Sequence, residues 1–275
     1  MELRLLWTIA QRELGEALRN KWLWFYAVGF AVLALALSQA GLASAGYAGL
    51  GGFGRTAASL VNALLLFAPL IGLSVGAGTL AADRERGTLV YLLAQPVSRL
   101  EVFFGKALGA GMAVLAALAL GFGVAGVGLA SAGGDNVAAY FALAASTLLL
   151  ALVSLGIGFI ISALTRRGST ASGAALVVWL ALVFLADLGV VGATLALRPA
   201  PGALLAMLLV NPLQVFKLSA IYGLRATLDT LGPVGQFASF QFGAALPWLL
   251  LGLLAAWTVV TFGVALAVFN RRGDL

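Results

Sequence analysis

Cysteine and histidine are absent from this 275-residue chain, and methionine occurs three times, at Met1, Met112 and Met207. Without thiolates or imidazoles the chain lacks the soft ligands that hold copper or zinc tightly and the commonest nucleophile and base side chains. Neither an enzyme nor a resident metal or cofactor is expected. A nucleotide site is not expected either, because no G-x-x-x-x-G-K-[ST] phosphate loop occurs: Gly105-Lys106 is followed by Ala107 and lacks the upstream glycine. Charge is scarce as well. Charged residues make up 9% of the chain, against about 25% in soluble domains.

What replaces charge is apolar sequence: 62% hydrophobic residues and a mean hydropathy of +1.07. The bilayer is the main solvent for such a chain, and the apolar stretches are spread too evenly to leave a separate soluble domain. One membrane domain over residues 1–275 is expected, all-α and integral to the membrane. Six stretches reach the roughly 20 residues a spanning helix needs, at 22–45, 57–82, 107–130, 139–164, 172–197 and 244–269.

The formal charge of +6 does not point to nucleic acid, because the basic residues sit in short clusters beside apolar runs, where they act as orientation signals. Arg4, Arg12, Arg19 and Lys21 precede the first span; Arg84, Arg86, Arg99 and Lys106 lie between the second and third; Arg166 and Arg167 follow the fourth; Arg271 and Arg272 follow the sixth. The alternate loops carry only Arg55, Arg198, Lys217 and Arg225. Both termini are therefore expected in the cytoplasm. A cleaved leader ending at Ala43-Ser44-Ala45 is the alternative for the start. The acidic Glu13 and Glu16, and an apolar run longer than the usual 7–15 residues or so, argue against it.

Residues 3–20 repeat at helical spacing. Leu3, Leu6, Trp7, Ala10, Leu14, Ala17 and Leu18 share one arc, while Arg4, Thr8, Arg12, Gly15, Glu16 and Arg19 face the other way. Such a helix (the segment 1–21) lies in the membrane interface, with Trp22, Trp24 and Tyr26 marking the headgroup level; a plain cytoplasmic extension of the first span is the alternative. The loop 83–106 mixes charge with a short apolar run, breaks at Gln95-Pro96, and restarts at Ser98 with Glu101 three residues on, a capping-box spacing. By pattern it is either a rigid transmitting element or a solvated connector.

Asp187 is the one ionisable residue inside an expected span, about 22 Å from the span's inner end at 1.5 Å per residue. A carboxylate at that depth costs about 2.5–3.5 kcal/mol on insertion scales, so it must face a helix, water or a partner. Its role is either functional or that of a structural group bonding a neighbouring helix. The external segment 198–243 holds Asn211-Pro212, an N-cap followed by proline, with Gln214 at the N3 place, starting a helix over 213–224. Val215, Leu218 and Tyr222 would face either the outer membrane surface or a periplasmic partner; a re-entrant course for 203–210 also stays open. Gly72 and Gly76 give the second span a small-xxx-small packing face.

These features together resemble the type 2 ABC permease family. The segments that carry the resemblance are E-R-G-T-L at 85–89, L-L-x-x-P-V-S-R-x-E at 92–101 and Gly105-Lys106. The resemblance implies an elbow helix, six spans, and a loop 83–106 that docks on a separate cytoplasmic ATPase holding ATP and magnesium. Asp83, Arg84, Glu85, Arg86, Gly87, Thr88, Pro96, Ser98, Arg99 and Glu101 are then the ATPase-coupling candidates. It also implies two copies of this chain above two ATPases, in a bacterial inner membrane. V-F-L-A-D-L around Asp187 and N-P-L-Q-V-F-K-L at 211–218 resemble the subgroup serving copper-site maturation of nitrous oxide reductase. That likeness implies a periplasmic repeat protein as partner, with Asn211, Pro212, Phe216 and Lys217 as docking candidates. An ion-coupled secondary transporter and a non-transporting membrane anchor remain the rival functions.

Overall fold

The computed structural model describes residues 3–45, 51–131, 137–197, 199–223 and 232–271, and these are helical nearly throughout, with no strand among them. Arg198, Arg225 and Arg272, used above for topology, lie outside the described residues. The helices are α1 (Leu3–Leu18), α2 (Lys21–Ala45), α3 (Gly51–Glu85), α4 (Thr88–Leu93), α5 (Arg99–Ser131), α6 (Val137–Leu164), α7 (Gly168–Leu180), α8 (Ala186–Leu197), α9 (Pro201–Leu209), α10 (Pro212–Gly223), α11 (Gly232–Phe242) and α12 (Leu246–Arg271). A π-helical turn, Ala181–Leu185, joins α7 to α8 within the fifth span.

Among the described residues five stretches are long and apolar enough to cross a bilayer: Val61–Glu85, Arg99–Val127, Tyr140–Leu164, Gly168–Leu197 and Val234–Arg271. The expected first span corresponds to α2, whose 25 residues make a helix of about 38 Å at 1.5 Å per residue.

Glycine permits two close helix approaches that shape the fold. A Cβ on Gly72 would stand 2.9 Å from the Leu155 nitrogen, and one on Gly76 3.0 Å from the Gly158 Cα. The expected small-residue face of the second span is thus pressed backbone to backbone on α6. The second approach was not anticipated: a Cβ on Gly105 would lie 2.8 Å from the Ile9 side chain, and one on Gly109 2.6 Å from the Glu13 Cβ. These two glycines, four apart and so on one face of α5, form the bed on which α1 rests. Leu6, Ala10 and Ala17 are buried there, whereas Leu3 and Trp7 of the same apolar arc stay exposed. The corner between α1 and α2 is closed by Trp24, whose Nε1 donates to the Leu18 carbonyl at 2.6 Å. Trp22 stacks on Tyr26, and Phe25 meets both rings edge-on.

The segment 198–243 departs most from expectation. Rather than a surface loop, it contains a hairpin, α9 and α10, bent by 113° at its break. Pro201 opens α9, and Asn211 caps α10 by accepting from the Leu213 nitrogen at 2.9 Å, so the cap read from sequence is present. Val215 and Leu218 turn inward, and α10 packs against α3, α6 and α12. The face expected to meet the membrane surface or a partner is covered by the chain's own bundle. The hairpin reaches well into the bundle, as a broken span or a re-entrant segment: the Trp257 Nε1 reaches the Leu209 carbonyl at 3.5 Å, and Trp257 lies about 16 Å along α12 from its start.

Candidate functional site

The ends of α3, α5, α6, α7 and α12 that carry the basic clusters gather with α1 at one end of the bundle. At their centre is a buried ionic cluster. Lys106 of α5, 2% exposed, pairs with Asp83 of α3, 1% exposed, at 2.6 Å, and with Glu13 of α1. Burial pushes the Glu13 carboxyl above its usual range, against the opposing pull of Lys106. Asp83 also accepts from Thr88 Oγ1 at 2.8 Å. The Arg86 guanidinium stands 3.5 Å from both Asp83 and Glu16, and Arg12 bonds Glu16 at 3.0 Å.

Arg84 and Glu85 point the other way, to the turn between α6 and α7. The Arg84 guanidinium donates to the carbonyls of Ser162 at 3.1 Å and Thr165 at 2.5 Å, satisfying the C-terminal end of α6. Glu85 accepts from the Gly168 nitrogen at 2.8 Å, capping the first turn of α7. A cation at a helix C-terminus and an anion at an N-terminus each match the local end of the helix dipole. Two adjacent charges thus hold both sides of one turn.

Gly87 makes this junction possible. Its φ of +74° is a left-handed conformation that costs a residue with a Cβ free energy. Its nitrogen bonds the Arg84 carbonyl at 3.2 Å, ending α3 and letting α4 start at the next residue. After α4 the expected capping box is present: Ser98 donates its backbone nitrogen to Glu101 at 2.9 Å, and the Glu101 nitrogen returns a bond to Ser98 Oγ at 3.2 Å. Arg99 ties the start of α5 to α12 through the Asn270 carbonyl at 3.2 Å. Between these anchors Val90 and Tyr91 are exposed, Tyr91 at 71%, and Pro96 is exposed beyond them. An apolar tip therefore projects from a base tied to α1, α3, α5, α6, α7 and α12.

All ten coupling candidates lie in or beside this junction. Glu13, Lys106, Ser162, Thr165 and Gly168 complete it and were not singled out from sequence, although the charges of Glu13 and Lys106 were noted.

A second polar group lies toward the opposite end. Gln214 Nε2 donates to the Asp187 carboxylate, and Lys217 Nζ stands 3.6 Å from the same oxygen. Asn211 Nδ2 donates to the Leu182 carbonyl at 3.2 Å, joining the hairpin tip to the π-helical turn. The two segments singled out around Asp187 and at 211–218 are therefore in contact. Pro212 and Phe216 are buried, Phe216 at 0% exposure, which corrects their expected place on a docking surface. Asn211 and Lys217 remain partly exposed.

Comparison with known proteins bears on both ends. The family model described as "ABC-2 family transporter protein" matches residues 7–274. Two relatives, each named "Probable ABC transporter permease protein NosY", are 33% identical over 97% of this chain and 98% of their own length. One is from Stutzerimonas stutzeri and the other from Pseudomonas aeruginosa PAO1.

Proposed function

Because the chain belongs to the ABC-2 family of transporter proteins, we propose that its junction at 83–106 couples a separate cytoplasmic ATPase to movement of the spans. The observation that carries this reading is the contrast within the junction. Val90 and Tyr91 are exposed on α4, while Asp83, Arg84 and Glu85 beneath them are tied to α5, α6 and α7, and through Lys106 to α1. A force applied to the tip of such an element is not absorbed in a flexible loop. The clustering of basic residues at this end agrees with a cytoplasmic position under the positive-inside rule, which puts both termini in the cytoplasm of a bacterial inner-membrane protein.

Two copies of this chain with two ATPases form the working unit in this reading. Its output is export or mechanical action on a periplasmic partner, serving copper-site maturation of nitrous oxide reductase; the segments around Asp187 and at 211–218 support that subgroup by their resemblance. Nucleotide and magnesium belong to the ATPase. Co-expression with the neighbouring genes, purification in mild detergent and mass spectrometry test the partnership. A stoichiometric ATPase is expected, together with a periplasmic repeat protein; recovery of the chain alone in folded form would overturn the reading. In the complex, Glu85→Ala with Arg86→Ala should leave insertion and ATP hydrolysis in place and remove output. Wild-type output from that variant would exclude the junction as the coupling element.

A further inference from the structure

The cluster around Lys106 binds two elements that the coupling reading by itself does not require to move together. Lys106 belongs to α5, and its ammonium holds Asp83 at 2.6 Å on one side and Glu13 on the other. Asp83 in turn accepts from Thr88, the first residue of α4. A continuous series of bonds therefore runs from α4 through Thr88, Asp83, Lys106 and Glu13 to α1, joining four helices, with Asp83, Lys106 and Glu13 buried.

Passive attachment of α1 does not need this arrangement. Leu6, Ala10 and Ala17 already pack α1 into the bed made by Gly105 and Gly109. Burying two carboxylates against one ammonium carries a desolvation cost that an apolar contact of the same volume avoids. What the ions add is direction: one ammonium holds an oxygen of Asp83 and an oxygen of Glu13, so a displacement of Asp83 is passed to Glu13 instead of slipping along an apolar surface. Arg86 repeats the link on the rim, reaching both Asp83 and Glu16 at 3.5 Å.

We infer that Lys106 is a positioning residue that pins the amphipathic helix α1 to the junction of α3 and α4, so that motion of α4 is delivered to α1 as well as to the spans. This rests on the coupling reading above. The element so moved carries exposed Leu3 and Trp7 beside Arg4 and Arg12, a composition suited to the lipid headgroup zone. The consequence is that each power stroke shifts a helix lying along the membrane surface.

The test is hydrogen–deuterium exchange on the full chain with its co-purified ATPase in lipid discs, without nucleotide and with ATP trapped by vanadate. The variant of choice is Glu13→Gln, which keeps the Asp83–Lys106 pair and the side-chain volume; Lys106→Met would leave two buried carboxylates facing each other. In the wild type, trapping should change exchange in both α4 and α1. In Glu13→Gln the change at α4 should persist, while that at α1 falls at least threefold. A loss of structure alone would raise exchange in α1 in both nucleotide states and would not remove the difference between them selectively. A variant that transmits to α1 as fully as the wild type overturns the inference and leaves the coupling reading standing. Absence of any nucleotide response at α4 in the wild type overturns the coupling reading itself, and the inference with it.

Discussion

Lys217 of α10 stands 3.6 Å from the carboxylate of Asp187 in α8, and so joins the second arm of the α9–α10 hairpin to the fifth span just beyond its π-helical turn. Gln214 donates to the same carboxylate oxygen from one turn earlier in α10. A carboxylate inside a span thereby acquires both a counter-charge and a hydrogen-bond donor without leaving its own chain. The pair is partly open, however, with side-chain exposures of 35% for Lys217 and 54% for Asp187, so the cluster presents charge on the surface of a largely exposed helix.

An ion pair so open contributes no more than about 1 kcal/mol. Asp187→Asn should therefore insert normally and shift Tm in detergent by no more than about 4 °C, while lowering output of the assembled system at least tenfold. Thermal unfolding beside an output assay separates the two effects. A variant with full output would reduce Asp187 to a structural group.

The glycine contacts give a sharper contrast. Gly76→Val sets a branched side chain against the backbone of α6, 3.0 Å from the Gly158 Cα, where no side-chain rotation relieves the overlap. Gly78, two residues on in the same helix, has nothing within 4 Å of the position its Cβ would take. Gly78→Ala should be neutral or stabilising by about 0.5–1 kcal/mol, whereas Gly76→Val should lose the monodisperse peak in size-exclusion chromatography. Equal behaviour of the two variants would contradict the close packing of α3 on α6.

Much of this was legible in the sequence where one physical rule dominates. Apolar length located the spans, the Ser98–Glu101 spacing located a capping box, and Asn211-Pro212 located the start of α10. The sequence leaves the bent course of 203–210 open, but the surroundings of α10 were misread, because Val215, Leu218 and Tyr222 give the same periodicity whether they face lipid, a partner or the chain's own bundle. The π-helical turn left no composition signal in a run as uniform as Ala181–Leu185. The cluster around Lys106 was recoverable in principle. Glu13 falls in register with Leu6, Ala10 and Ala17, and Lys106 with Val102, Phe103, Ala110 and Ala113, all of them buried. Opposite charges set into two apolar stripes each need a buried partner, and the nearest solution is each other.

Glu13 also carries a pH dependence. Its pKa is raised in the folded protein, chiefly by burial, from a reference value of 4.5. The folded state therefore holds this proton more tightly than the unfolded state does. The resulting stability is present below the reference value and is lost as pH rises through the folded pKa. The Tm of the wild type minus that of Glu13→Gln should accordingly fall as pH increases from 4.5 toward neutrality. A difference that is flat or rises over that range would mean that Lys106 outweighs burial and holds the carboxyl charged.

Asn211 makes two bonds that a single substitution can separate. Its Oδ1 caps α10 at Leu213, and its Nδ2 donates to the Leu182 carbonyl in the π-helical turn. Asn211→Ala removes both and should cost about 0.5–2 kcal/mol for the cap and about 0.5–1.5 kcal/mol for the second bond. Asn211→Asp keeps the cap and replaces the donor by a carboxylate oxygen facing a carbonyl, so the fifth span should loosen while α10 stays capped. Hydrogen–deuterium exchange over residues 181–185 reads that loosening directly, and it should rise in both variants. Were it to rise in neither, the hairpin tip would bear no part of the load at the π-helical turn, and the geometry of the fifth span would have to be set by its own sequence.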